Sequence, residues 1–155
     1  MKIVIISDSH GNSEILEKIF THERNIDGVI HLGDGSDDLW GLNAYIGSLP
    51  VYHIRGNNDR FRTDLSDKLI SYFGNIKFFA CHGHHYDVKY GLIRLCYAAL
   101  EAECRLVLFG HTHIPYNEST ENMTFFNPGC AYKGFYGILE TKGDEFSVKN
   151  KNIYD

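Results

Sequence analysis

At 155 residues, with 43% hydrophobic side chains and only three prolines, the chain has the make-up of one ordinary folded domain and not of a disordered or fibrous protein. A chain of this length buries roughly 70% of the surface its unfolded form exposes, enough for a real core. The net charge of −5, with no lysine or arginine run, argues against partners that need a basic face, whether nucleic acid or an anionic membrane.

The opening run Ile3-Val4-Ile5-Ile6 is β-branched throughout and reads as a strand buried on both faces, inside a parallel sheet. Asp8 and His10 follow at once, on the loop past a strand's C-terminal end, where open α/β sheets bind ligands. Asn12 or Ser13 then caps a helix from about Ser13 to Arg24, with Ile15, Leu16, Ile19 and Phe20 inward. Val29 to Leu32 reads as a second strand running into Gly33-Asp34. This strand–helix–strand order predicts a parallel βαβ start.

Ser36 to Asp38 can cap a second helix carrying Leu39, Leu42, Tyr45 and Ile46 on one face, ended by Gly47 and Pro50. Val51 to Ile54 is a third strand, delivering Arg55-Gly56-Asn57-Asn58-Asp59. His31 and His53 fall within strand patterns and read as core or sheet-face residues. Arg55 could meet a phosphate or serve in a surface ion pair. After a surface loop, Leu69–Phe73 and Ile76–Cys81 flank Gly74-Asn75, a two-residue hairpin turn of the glycine-first type.

The second hairpin strand runs into His82-Gly83-His84-His85. A helix from about Tyr90 to Ala102 is expected next, with Leu92, Leu95, Cys96 and Ala99 inward. The strand Leu106–Phe109 then ends in Gly110-His111-Thr112-His113. Met123–Phe126, Phe135–Glu140 and Glu145–Asn150 are strand-like with no helix between them, which predicts an antiparallel meander. No linker or repeat interrupts the chain, so one domain over 1–155 is expected.

Cys81, Cys96, Cys104 and Cys130 form no Cys-x-x-Cys pair. Met1 leads straight into a short apolar strand, so no signal peptide is expected, and no stretch approaches membrane-spanning length. Reduced thiols in the cytoplasm are the expectation.

Repeatedly, a strand ends in a glycine-bearing loop that carries a metal-ligand type: Asp8 and His10, Asp34, Asn57, His82, then His111 and His113. Any one of these loops could be an ordinary turn. Together they converge on one sheet edge, and they exceed what one four-coordinate ion needs. Two divalent ions sharing a carboxylate, roughly 3.5–4 Å apart, suit them and can clamp a phosphoryl group. The oxygen and imidazole donors favour Mn, Fe, Zn, Co or Ni over a structural zinc.

Asp8-Ser9-His10, Gly33-Asp34, Gly56-Asn57-Asn58-Asp59, His82-Gly83-His84 and Gly110-His111-Thr112-His113, in that order, resemble the calcineurin-like metallophosphoesterases. The short length, the early first motif and Asn127-Pro128-Gly129 resemble the small YfcE-type phosphodiesterase branch, and the likeness spans about Met1 to Gly129. The resemblance implies an α/β fold, a four-layer α-β-β-α sandwich with the site along one edge of its two sheets. It implies that Asp8, His10 and His113 hold one metal, that Asn57, His82 and His111 hold the other, and that Asp34 bridges them. The implied activity is hydrolysis of a small phosphodiester by a hydroxide between two divalent ions, manganese first among them. A homodimer is left open by the resemblance.

One position departs from the family pattern. Asn58 stands where the usual Gly-Asn-His-Asp has its histidine, which argues against phosphomonoesterase activity. Asn58 and Asp59 are therefore read as supporting catalytic residues, with Asp59 orienting a ligand. His84 and His85 could stand in as an acid or support the ligands from behind. The alternative is a non-catalytic scaffold or a metal- or phosphate-binding protein of the same fold, like the retromer subunit. The complete ligand set favours the enzyme.

Overall fold

The computed structural model describes residues 1–155. Lys2–Ile6 forms β1, and its alternation puts Ile3 and Ile5 into one hydrophobic core and Val4 and Ile6 into another. A strand with no polar face belongs in the middle of a sheet. β1 pairs in parallel with β2 (Gly28–His31), which pairs in parallel with β3 (Val51–His53). On its other side β1 pairs antiparallel with β9 (Phe135–Lys142), and β9 pairs with β10 (Glu145–Asn152).

The second sheet has the order β4-β5-β6-β8-β7. It comprises β4 (Lys68–Phe73), β5 (Ile76–Cys81), β6 (Leu106–Leu108), β7 (Tyr116–Ser119) and β8 (Thr124–Asn127). The β4–β5 hairpin turns at Gly74, whose φ of 59° with no positive φ at Asn75 matches the glycine-first turn type. β5, β6 and β8 run parallel, so their C-terminal ends share one edge.

The two sheets stack face to face over Ile3, Ile5, Ile30, Leu32 and Ile54 from one and Phe73, Phe78, Leu106, Leu108 and Phe126 from the other. α1 (Ser13–His22) covers the outer face of the first sheet with Ile15, Leu16, Ile19 and Phe20, and Asn12 Oδ1 accepts from Ile15 N–H to cap it. α3 (Ile93–Glu101) covers the second sheet with Leu95 and Ala99. The result is the four-layer α-β-β-α sandwich. No helix is long and apolar enough to cross a membrane.

Three expectations need correction. The helix expected after Ser36 is two pieces, a 3₁₀ turn at Ser36–Leu39 and a short α2 (Asn43–Ile46). Gly41, at φ 86°, breaks the run between them. Leu39, Leu42 and Ile46 are still buried, but Tyr45 is exposed and bonds to Glu17. The C-terminal strands are not one meander. Thr124–Asn127 lies in the second sheet, while β9 and β10 return to the first beside β1. Strand alternation reports burial but not which sheet supplies the partner. The third helix begins at Ile93, since Gly91 sits at φ 151°, while Leu92 and Cys96, though half-buried, pack against the core as expected. β7, polar at Asn117, Glu118 and Ser119, has no apolar pattern and was not expected at all.

Candidate metal centre

The loops past β1, β2, β3, β5 and β6 meet along one edge of the sandwich, and each brings an expected donor residue. Asp8, His10, Asp34, His111 and His113 all have φ between 47° and 67°. Left-handed backbone at a non-glycine residue costs of order 1–3 kcal/mol and persists only where surroundings enforce it. That concentration of strain marks the edge as built for something other than stability.

Asp8 is the centre of the cluster. It is fully buried, and its Oδ2 accepts from Ser7 Oγ at 2.6 Å and from the His111 backbone N–H at 3.1 Å. Its Oδ1 is buried with no hydrogen-bond partner. That oxygen lies 3.1 Å from His113 Nε2 and 3.8 Å from both His10 Nε2 and His82 Nε2. His10 and His113 bring their Nε2 atoms within 3.2 Å of each other. Donors held at about 2.0–2.2 Å from one ion sit roughly 3–3.6 Å apart around it. Of the separations among Asp8, His10 and His113, 3.1 and 3.2 Å lie in that range and 3.8 Å just beyond it. The three are thus arranged to close on a divalent ion, and the orphaned oxygen has no hydrogen-bond partner.

A second group forms around His82, which is fully buried. Its Nδ1 donates to the Leu32 carbonyl at 2.8 Å, so Nε2 faces the site. Around Nε2 stand Asn57 Oδ1 at 3.1 Å, Asp34 Oδ2 at 3.4 Å and Asp8 Oδ1 at 3.8 Å. So many acceptors around one point need a cation. Burial alone would push the His82 imidazole down, but Asp34 and Asp8 outweigh it and hold it above its ordinary range. Either a second proton or a metal ion answers that demand. Asp8 belongs to both donor groups, while Asp34 joins only the one at His82. His111 stands beside that group, its ring centroid 5.0 Å from that of His82. Burial and the neighbouring His82 bring its pKa down to about 4.

Behind these donors lies a set of fixed supports. Asp59 accepts four backbone N–H bonds, from Asp34 and Gly56 at 2.8 Å, Gly35 at 3.0 Å and Ser36 at 3.1 Å. It therefore ties the loop of Asp34 to the loop of Asn57. Burial would raise its carboxyl, but the bonds from Gly35, Gly56, Ser36 and Asp34 outweigh that and bring it to about 2. Asn58 turns its side chain to Asp34, its Nδ2 donating to Oδ2 at 2.7 Å. Arg55 pairs with Asp67 at 2.8 Å, a partly exposed ion pair. His84 sits between His82 and His85, with a buried Nδ1 that has no partner, and His85 faces Asp67 at 3.6 Å.

Three supports escaped the sequence. Ser9 donates to Asp38 Oδ2 at 2.6 Å, while fully buried His31 lies 3.1 Å away and takes the Gly33 N–H on its Nδ1 at 3.1 Å. His31 Nε2–H thus donates to Ser9, the reverse of an activated serine. Asn127 donates to the Gly110 carbonyl at 2.9 Å and to Thr112 Oγ1 at 3.1 Å, which fixes the last histidine loop. The close packing also requires glycine. A Cβ on Gly56 would fall 2.1 Å from Asp34 Oδ1, and one on Gly110 2.0 Å from Ser7 Oγ. No cysteine is among the candidate donors: Cys81 packs into the core on the α3 side of its sheet, Cys130 Sγ donates to the Asp8 backbone carbonyl at 3.2 Å, and none of the four forms a disulfide.

Residues 1–143 match the calcineurin-like phosphoesterase superfamily domain. The chain is 35% identical over 156 residues to the probable metallophosphoesterase YsnB of Bacillus subtilis, covering 96% of this chain and 89% of that one. It is 34% identical over 172 residues to the phosphodiesterase MJ0936 of Methanocaldococcus jannaschii, covering 94% and 96%. Among solved structures, a conserved uncharacterized protein of Streptococcus pneumoniae described as a predicted phosphoesterase superposes with a TM-score of 0.79 at 27% identity, covering 99% and 90%. Vps29 of Entamoeba histolytica, solved with Zn²⁺, shares the fold at a TM-score of 0.78 and 18% identity, covering 100% and 94%. The chain belongs to the calcineurin-like phosphoesterase superfamily.

Proposed function

We propose that this chain is a metal-dependent phosphodiesterase acting on small diesters in the cytoplasm, with two divalent ions, manganese first among them, at the sheet edge. The observation that carries the reading is the orphaned Oδ1 of buried Asp8, facing the Nε2 atoms of His10, His82 and His113. In this reading Asp8, His10 and His113 hold one ion, Asn57, His82 and His111 the other, and Asp34, which stands in the group at His82, would be shared by the two. Bound ions would supply Lewis acidity toward the phosphoryl oxygens and a nucleophile available at neutral pH.

The chain's own part is to hold these donors still. Asp59 locks two loops together, Leu32 sets the His82 ring, and Asn127 pins the loop of His111 and His113. Supports of this kind typically matter by about 10–100-fold in metal affinity or activity. Near the site Asn58 offers an amide, which can donate a hydrogen bond but cannot give up a proton. Diesters with stable leaving groups are therefore the better substrates, and alkyl monoesters the poorer.

The test is to strip the protein with a chelator, reconstitute it with Mn²⁺, and assay bis(4-nitrophenyl) phosphate beside 4-nitrophenyl phosphate. Turnover restored by metal, higher on the diester, with metal content approaching two ions per chain, supports the reading. Tight metal binding without turnover of any diester would leave a metal-dependent binding protein instead.

A further inference from the structure

A cavity of about 290 Å³ opens beside the loop Gly110-His111-Thr112-His113, on the α3 side of the second sheet. Val88, Leu92, Phe109 and Ile114 make its walls apolar. Thr112, between two candidate ligands, is part of the same wall, so cavity and metal centre share one loop. Its size is at the low end of small-molecule pockets, roughly 300–1,000 Å³, which suits a single ring better than a nucleotide. Ile114 is 67% exposed at its mouth, an apolar side chain with little of the protein against it. Lys89 is the only charged residue of the lining.

Resting on the phosphodiesterase reading, we propose that this cavity receives the ester group that the diester keeps, an uncharged apolar group about the size of one aromatic ring. The phosphoryl group would then span Thr112 toward the metal donors, with Lys89 adding positive potential for the diester anion. The leaving group is the wrong occupant. Its oxygen gains negative charge as the P–O bond breaks, and the hydroxyls of the lining are already committed, Thr112 to the Ile114 carbonyl and Tyr116 to Glu118. That leaves only Lys89 as a donor among apolar walls. The retained group keeps its bond to phosphorus and develops no charge, so an apolar wall costs it nothing. Burying it also takes Ile114 and Leu92 out of water.

Two substrates with one leaving group isolate the effect: 4-nitrophenyl phenyl phosphate and 4-nitrophenyl methyl phosphate, on the Mn²⁺-reconstituted full chain. The phenyl ester should have kcat/KM higher by roughly tenfold or more, the scale on which hydrophobic pockets discriminate. Ile114→Asp and Leu92→Asn should each bring that ratio toward one, with circular dichroism showing that the variants are folded. In methyl-resolved NMR, phenylphosphonate should shift the Val88, Leu92 and Ile114 methyl signals, and methylphosphonate should not. Equal kcat/KM in the natural chain, an unchanged ratio in both variants, or no methyl shifts would overturn the subsite. Failure to turn over either diester would sink the phosphodiesterase reading, and the NMR measurement would still decide the cavity.

Discussion

Asn58 holds both oxygens of Asp34: its side-chain Nδ2–H meets Oδ2 at 2.7 Å and its backbone N–H meets Oδ1 at 2.8 Å. The residue that departs from the family pattern is thus a positioning residue for a proposed metal ligand. Asn58→Ala should weaken metal binding by about 10–100-fold, read by calorimetry. Asn58→His gives up the same side-chain bond but introduces a proton donor. General acids are typically worth about 10²–10⁴-fold when well placed. The ratio of alkyl monoester to aryl diester turnover should therefore rise by roughly tenfold or more, while metal affinity falls. An unchanged ratio would mean that the imidazole does not reach the leaving oxygen.

Gly56→Ala is expected to abolish metal binding with the fold retained. The new Cβ would stand 2.1 Å from Asp34 Oδ1, and Gly56 is not among the positive-φ residues, so the conflict is steric contact with a ligand and not backbone strain. Gly143→Ala makes the control. Gly143 has φ 60° with nothing within 4 Å, so alanine there should lower stability by about 1 kcal/mol and leave metal content unchanged. Equal metal content in the two variants would contradict the steric account.

Ser9 lies between Asp8 and His10 and beside His31 and Asp38, yet it is not a nucleophile. Its proton goes to Asp38, and His31 donates to it. Burial, then the neighbouring His53, brings the His31 pKa down to about 3, so the ring stays neutral and structural. Incubation with a serine-directed organophosphorus reagent should give no mass increase in the intact protein. Ser9→Ala should act through loop order, lowering thermal stability by about 1–3 kcal/mol because the buried His31 Nε2–H loses its acceptor, while Asp38 Oδ2 keeps the Gly11 N–H. A stable adduct on Ser9 would reverse this assignment.

Glu23 supplies a pH test away from the metal centre. It is buried and accepts from Lys151, Lys2 and Tyr136 at the foot of the first sheet. Burial alone would raise its carboxyl, but those bonds outweigh it and lower the pKa from 4.5 to about 2. A depressed carboxyl contributes stability that is complete above about pH 4.5 and drains away as the pH falls toward 2. Glu23→Gln should cost about 1–3 kcal/mol at pH 7 in urea unfolding. The difference from the natural chain should shrink across that acid window. A gap that stayed constant down to pH 2 would mean that charge on Glu23 is not what stabilises.

Much of the molecule was legible from residue order. Ile3-Val4-Ile5-Ile6 announced a strand buried on both faces, and Ile15, Leu16, Ile19 and Phe20 announced the helix over it, because period and branching report burial directly. The glycine-bearing loops after successive strands placed the donor residues on one edge, because parallel strands end together. Pairing was not legible: β8 and β9 carry similar apolar patterns, yet they belong to different sheets, and polar β7 carries no pattern. Nor did residue order foretell the left-handed backbone at Asp8, His10, Asp34, His111 and His113, or that Asp8 would share both donor groups. Ser9, His31 and Asn127 read as turn or core residues in the chain and became supports only when distant loops met, whereas the motif around Asp59 already pointed to a ligand-orienting role. Residue type and spacing decide what a segment can bury and which donors it carries. Distances of three ångströms between side chains far apart in sequence exist only once two sheets have packed, so tertiary structure alone decides which donors share an ion.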